Sequence, residues 1–157
     1  MDVNWIRLKF KQLSLEQLYD IMVLRQKVFV VEQTCPYQDA DGVDRHTYHL
    51  MGYQQQEGRD ELVAYCRIVP PGLKYEEASI GRVVTASSVR GMGIGKVLIL
   101  QAIDWSGTLF PNTDLRISAQ QYLEKFYDDF GFCTVSDPYL EDDIPHIEMR
   151  RSYNATI

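Results

Sequence analysis

An α+β fold, with a mixed central sheet of about seven strands flanked by helices on both faces, is predicted by three observations. Apolar segments with a two-residue period alternate with segments at helical spacing, in the order βα-βββ-αβ-αββ. Breaks at Gly58, Pro70-Pro71-Gly72 and Gly131 separate those segments. The apolar strand Ile80–Thr85 runs into a glycine cluster from which a long amphipathic helix starts. The 157 residues suit one domain, 1–157, around a single core.

Trp5-Ile6-Arg7-Leu8-Lys9-Phe10 alternates and reads as the first strand. Ser14, followed three residues later by Gln17, has the form of a capping box. Leu15, Leu18, Tyr19, Met22, Leu24, Arg25 and Val28 carry that helix to about Val30 or Val31. Gln33–Arg45, with Pro36, Gly42 and three aspartates, reads as a long loop. Strands follow at about 46–54, 61–69 and 78–86. From Gly93 to about Leu109 a helix puts Ile94, Val97, Leu98, Ala102 and Trp105 on one face. Leu115–Ala119 is a fifth strand, and Gln121–Phe130 a short helix with Gly131 as its stop. Strands near 132–136 and 146–152 close the chain.

A hydrophobic fraction of 45% with 24% charged residues is that of a globular protein. Apolar runs such as Val97–Leu100 are too short to span a bilayer, so no membrane partner is expected. Met1–Trp5 has no signal-peptide character, and Cys35, Cys66 and Cys133 form no C-x-x-C pair. The first argues against secretion, and the second suits reduced thiols in a cytoplasm, which is the expected setting. The net charge of −6 argues against nucleic acid as a partner and is compatible with a cationic amine.

The cluster Arg90-Gly91-Met92-Gly93-Ile94-Gly95 opens a helix, where free N–H groups and the helix dipole favour a phosphate. A P-loop requires Ser or Thr after Gly-Lys, but Gly95-Lys96 is followed by Val97. A dinucleotide site wants G-x-G-x-x-G and an acidic residue ending the next strand; here the spacing is G-x-G-x-G and Asp114 begins its strand. Arg90-x-x-Gly93-x-Gly95 is similar to the (Gln or Arg)-x-x-Gly-x-(Gly or Ala) signature of the GNAT superfamily of N-acetyltransferases. The resemblance extends over nearly the whole chain. Leu24–Gln33, Cys35-Pro36-Tyr37 and Asp39-Ala40-Asp41 resemble the N-terminal block of the ElaA-like branch. Phe126–Phe132 and Tyr139–His146 resemble its C-terminal blocks.

The resemblance implies the GNAT acyl-CoA N-acyltransferase fold and acetyl-CoA as co-substrate, with no metal. Its pyrophosphate falls to the backbone of Arg90, Gly91, Met92, Gly93, Ile94, Gly95 and Lys96. The pantetheine arm falls between the Val83-Val84-Thr85 strand and the Ile117-Ser118-Ala119 strand, where Ser118 leaves room. Tyr127 matches the family's general acid, and a phenol with pKa ~10 is protonated at neutral pH. A backbone N–H on Val83–Thr85 takes the place of an oxyanion hole. Glu32 and His146 are the candidate bases, with His49 and Glu148 behind them and a water relay as the alternative. Some relatives place a glutamate on the fourth strand, but here it reads Ile80-Gly81-Arg82-Val83-Val84 with no carboxylate. Arg82 either binds an anionic part of the acceptor or pairs with a carboxylate. The implied acceptor is a small-molecule amine or an accessible lysine, and homodimers are common in the superfamily. Transfer of a longer acyl group, a non-catalytic acyl-CoA sensor and a purely structural domain are the competing readings.

Other features carry less. Asp39–Asp44 resembles the opening of a calcium loop, but its glycine comes early and position twelve is Leu50, so it reads as a polar loop. His46 and His49 on one strand face opposite ways and do not make a zinc site. Cys35 reads as an inert loop thiol, Cys66 and Cys133 as small core residues, and Glu141-Asp142-Asp143 as a solvated loop.

Overall fold

The computed structural model describes residues 2–157. In chain order the elements are β1 (Asn4–Lys9), α1 (Leu15–Arg25), β2 (Tyr48–Gln56), β3 (Arg59–Val69), β4 (Ser79–Thr85), α2 (Ile94–Leu109), β5 (Leu115–Gln120), α3 (Glu124–Asp128), β6 (Cys133–Thr134), β7 (Tyr139–Glu141) and β8 (Ile144–Arg151). This is the expected order with β7 added. The chain divides into two compact units: the segment up to Ile68 with Arg82–Ala102, and Val69–Gly81 with Ile103–Ile157.

In the first unit the strands run β1-β2-β3-β4, with β1–β2 and β2–β3 antiparallel. Ser14 caps α1 as its sequence requires: its Oγ accepts the Gln17 N–H at 3.0 Å, and Gln17 Oε1 accepts the Ser14 N–H at 2.9 Å. Ile21, Leu24 and Val28 then pack with Met51, Tyr53, Leu62, Tyr65 and Val84 in one apolar cluster. The expected helix to Val30 or Val31 is α-helical only to Arg25 and continues as a π-helical segment, Gln26–Glu32. Gln33 N–H bonds Val28 O and Cys35 N–H bonds Val30 O, both at 3.0 Å. Three β-branched residues in this stretch, Val28, Val30 and Val31, are poor α-helix formers and suit the looser winding. The loop that follows ends in a 3₁₀ turn, Val43–His46, entered through Gly42 at φ +83°. His46 therefore lies before β2, which starts at Tyr48, and not on it.

The second unit holds the order β5-β8-β6, with β7 also paired to β8. Ser118 lies opposite Glu148, Ala119 opposite Ile147, and His146 between Gln120 and Tyr139. Ala78 makes a parallel bridge to Leu115, and Arg116 N–H bonds Ala78 O at 2.9 Å. The Glu141–Asp143 stretch is a hairpin turn between β7 and β8. Asp142 at φ +50° and Asp143 at φ +62° have the left-handed angles of a two-residue type I′ connection. Helix α3 ends as expected at Gly131, φ +90°, which permits a Schellman closure. Gly131 N–H bonds Asp128 O at 3.0 Å and Phe132 N–H bonds Tyr127 O at 3.3 Å. Cys133 departs from its expected core position: it is exposed on a two-residue strand, whereas Cys66 and Cys35 are buried. Among the described residues no helix is long and apolar enough to cross a membrane.

Candidate active site

In the first unit, β4 ends at Thr85 and the chain turns through a 3₁₀ segment, Ser87–Val89, before α2 begins at Ile94. Gly91 at φ +82° and Gly93 at φ +79° make the left-handed steps that bring the backbone round to the helix start. A Cβ at either position would meet nothing within 4 Å, so this side of the turn faces open space. Arg90 N–H and Met92 N–H already reach Ser87 O at 3.4 Å and Val89 O at 3.3 Å. Val97 N–H makes the first intrahelical bond, to Gly93 O at 3.3 Å. The N–H groups of Ile94, Gly95 and Lys96 precede that bond and have no acceptor within the helix. A diphosphate fits this cradle: it offers acceptors to those donors and negative charge to the helix start.

The Arg90 side chain donates to both carboxylate oxygens of Glu32, and its Nη2 also donates to Thr85 O at 3.1 Å. That hydrogen-bonded arginine holds the Glu32 carboxyl below its ordinary range. The structure thus brings Glu32, Thr85 and Arg90 together, with Glu32 as an ion-pair partner.

In the polar loop expected at Asp39–Asp44, Asp39 and Asp44 are buried while Asp41 stays exposed. Arg25, fully buried, places Nε 2.7 Å from Asp39 Oδ2 and Nη1 2.7 Å from Asp44 Oδ1. Arg67 reaches Asp41 at 2.7 Å and Asp44 at 2.8 Å. Arg82 pairs with Asp39 at 2.7 Å and with Asp41 at 3.3 Å, its Nη2 donating also to Asp39 O at 3.0 Å. Three guanidiniums and three carboxylates thus neutralise one another. Burial opposes charge on Asp44, yet hydrogen bonds from Arg25 and Arg67 and their positive charge hold its carboxyl below the usual range. Of the two expectations for Arg82, pairing with a carboxylate is what the structure contains. The pairing of Arg25 and Arg67 with these aspartates is not legible in the sequence, since only folding brings residues so far apart in the chain together.

His49 sits beside this cluster, fully buried. Its Nε2 lies 3.0 Å from Asp44 O, a carbonyl that can only accept, so Nε2 carries the proton. Nδ1 then accepts from the Tyr65 hydroxyl at 2.8 Å. Burial pushes the His49 pKa down.

In the second unit, Tyr127 is 7% exposed and packs edge-on against Phe126 and Phe132, with ring centroids 5.1 and 5.8 Å away. Ser118 Oγ bonds the hydroxyl of Tyr139, a partner that spacing along the chain does not reveal. His146 is buried, and its Nδ1 donates to Ile144 O at 2.7 Å. The other ring nitrogen, Nε2, faces Glu141 Oε2 at 3.3 Å. Glu148 accepts from Arg116 Nε at 2.6 Å. His146, Ser118 and Tyr139 are therefore neighbours, through the Tyr139–His146 ring stack at 6.2 Å and the Ser118 bond. A surface hollow of about 300 Å³ is lined by Glu124, Lys125, Asp128, Thr134 and Met149, none of them a predicted site residue.

The sequence pattern of the acetyltransferase (GNAT) domain matches residues 37–153. A UPF0039 protein of Synechocystis sp. is 45% identical over 149 residues, which cover 95% of each chain. Protein ElaA of Escherichia coli is 40% identical over 151 residues, 95% of this chain and 96% of that one. Its crystal structure is similar with a TM-score of 0.88 and 38% identity over 96% of this chain and 100% of that chain. An acyl-CoA N-acyltransferase from Pseudomonas aeruginosa is similar with a TM-score of 0.89 and 42% identity, again over 96% and 100%.

Proposed function

From the premise that this chain belongs to the GNAT acetyltransferase family, we propose that it moves the acetyl group of acetyl-CoA to a primary amine by direct attack in a ternary complex. It is an acyltransferase. The observation that carries the finer reading is the Gly91–Lys96 turn, whose two left-handed glycines lead into the donor-bearing start of α2.

Acetyl-CoA when bound supplies the activated thioester. The chain's own residues do the rest. Backbone N–H groups from Gly93 to Lys96 hold the diphosphate, and the Val83–Thr85 strand presents an N–H to the carbonyl oxygen. Ser118 borders the pantetheine arm, and the Tyr127 hydroxyl gives its proton to the departing thiolate. Removal of the amine proton falls to water. Glu32 is engaged by Arg90, His49 has both ring nitrogens engaged inside the fold, and His146 has one on a carbonyl and the other against Glu141. The acceptor is a small-molecule amine or an accessible lysine, which the net charge of −6 supports. Three free cysteines support a cytoplasmic setting.

The test is calorimetric titration with acetyl-CoA, followed by thiol release with a panel of amines. Binding and turnover are expected, and Tyr127→Phe should lower kcat by roughly 100-fold with little change in CoA affinity. Full turnover in that variant would remove the acid role. Binding without turnover across the panel would favour the sensor, and no affinity for the nucleotide thioester would overturn the reading.

A further inference from the structure

We infer that Arg82 is a positioning residue, clamped by the Asp39–Asp41 loop so that β4 keeps a left-handed kink and the N–H of Val83 is aimed at the thioester carbonyl. The inference rests on the acetyltransferase reading. Its starting point is an anomaly: Arg82 lies inside a strand, yet its φ is +51°. A side chain with a Cβ avoids that region unless its surroundings hold it there. One left-handed residue breaks the alternation of N–H and C=O along a strand, so the next peptide leaves the regular ladder and points elsewhere.

Several contacts hold Arg82 there. Arg82 Nε is paired to Asp39 Oδ1 at 2.7 Å, and Nη2 donates to Asp39 O at 3.0 Å and to Asp41 Oδ2 at 3.3 Å. The guanidinium carbon lies 5.8 Å from the centre of the Tyr37 ring, whose hydroxyl donates to Asp39 Oδ1 at 3.1 Å. Asp39 is itself tied to the buried Arg25. On the other side of Val83, Val84 is 4% exposed within the apolar cluster. Val83 is thus bracketed by an ionic anchor and an apolar one. Fixed donors aimed in advance at developing charge need no reorganisation during reaction, which is the advantage such a clamp confers.

The experiment uses the full chain labelled with ¹⁵N. In ligand-free protein, the coupling between the amide and Hα protons at position 82 reports φ. It should hold its left-handed value in the native chain and move to the extended value in Arg82→Ala. On ligand addition, the Val83 amide proton should shift downfield with acetyl-CoA and not with CoA, because only the thioester brings the carbonyl. Arg82→Ala should lose that difference while CoA affinity stays within about threefold by calorimetry. Asp41→Asn, a milder change, should reduce it. Arg82→Gly, which tolerates a positive φ without a clamp, should retain more of it than Arg82→Ala.

An unchanged coupling at position 82 in Arg82→Ala would overturn the clamp whatever the ligand does. A Val83 difference that survives Arg82→Ala, or that is missing in the native protein despite tight CoA binding, would overturn the aiming role. Absence of CoA binding by the native protein would instead sink the acetyltransferase reading, and the aiming role with it, while a changed coupling would leave the clamp standing.

Discussion

The Asp39–Asp44 loop and the Arg90–Lys96 turn, both in the first unit, are polar, rich in small residues and easy to mistake for ligand sites. They have opposite fates. The aspartates of the first are each paired with guanidiniums of Arg25, Arg67 or Arg82 at 2.7–3.3 Å. The second pairs one side chain, Arg90, with Glu32 and directs its glycines toward open space. Satisfied polarity is architecture, whereas N–H groups that precede the first intrahelical bond keep a donor for another partner.

The largest effect that could break this contrast is Arg25→Ala. It leaves Asp39 and Asp44 short of a buried partner, and removing one member of such a set costs about 3–5 kcal/mol. Urea unfolding should show the loss, and a near-native midpoint would mean that the cluster is not a structural anchor. Next comes Gly93→Ala. No neighbour obstructs a Cβ there, so the cost is the positive φ alone, about 1–2 kcal/mol. If it falls on the bound conformation of the turn, CoA affinity drops about tenfold by calorimetry. Gly95→Ala makes the control, because Gly95 has no positive φ and a Cβ there would only touch Thr85 Cγ2 at 4.0 Å.

A pH series sharpens the comparison further. Burial depresses the folded pKa of His49, so the unfolded chain takes up the proton more readily. Stability that is present above about pH 6.5 therefore declines as the pH falls below it. Asp44, despite its burial, and the more exposed Asp41, despite partial desolvation, are held below the usual carboxylate range by their arginines. Unfolding releases them, so the decline steepens below about pH 4. Urea midpoints measured from neutral to acid pH should trace both steps, and a flat profile would contradict the buried cluster. Smallest of all is Glu32→Gln, which removes an exposed pair and should leave the unfolding midpoint unmoved. A large drop in turnover from that change, with CoA binding intact, would restore Glu32 as a base.

Features written in a few consecutive residues were legible from the start. The Ser14–Gln17 cap, the Gly131 stop and the strand–glycine–helix passage from Ile80 to Leu109 depend on local hydrogen bonds and on the angles glycine allows. The π-helical winding after Arg25 was not legible, because apolar periodicity does not separate an α-turn from a slightly wider one. Strand β7 was missed because three residues are too few to show a period. The exposure of Cys133 is not legible either, because strand membership does not say whether a face is covered.

By itself, then, the sequence determined the element order apart from β7, the family to which the glycine turn and its flanking blocks belong, and the residue types available for chemistry. Only the tertiary structure decided which of those residues are committed to one another: Glu32 to Arg90, Ser118 to Tyr139, and the three aspartates to three arginines. The reason is range. Backbone geometry and capping act within a turn or two of chain. Ion pairs and hydrogen bonds act over a few ångströms of space, and chain order does not measure that distance.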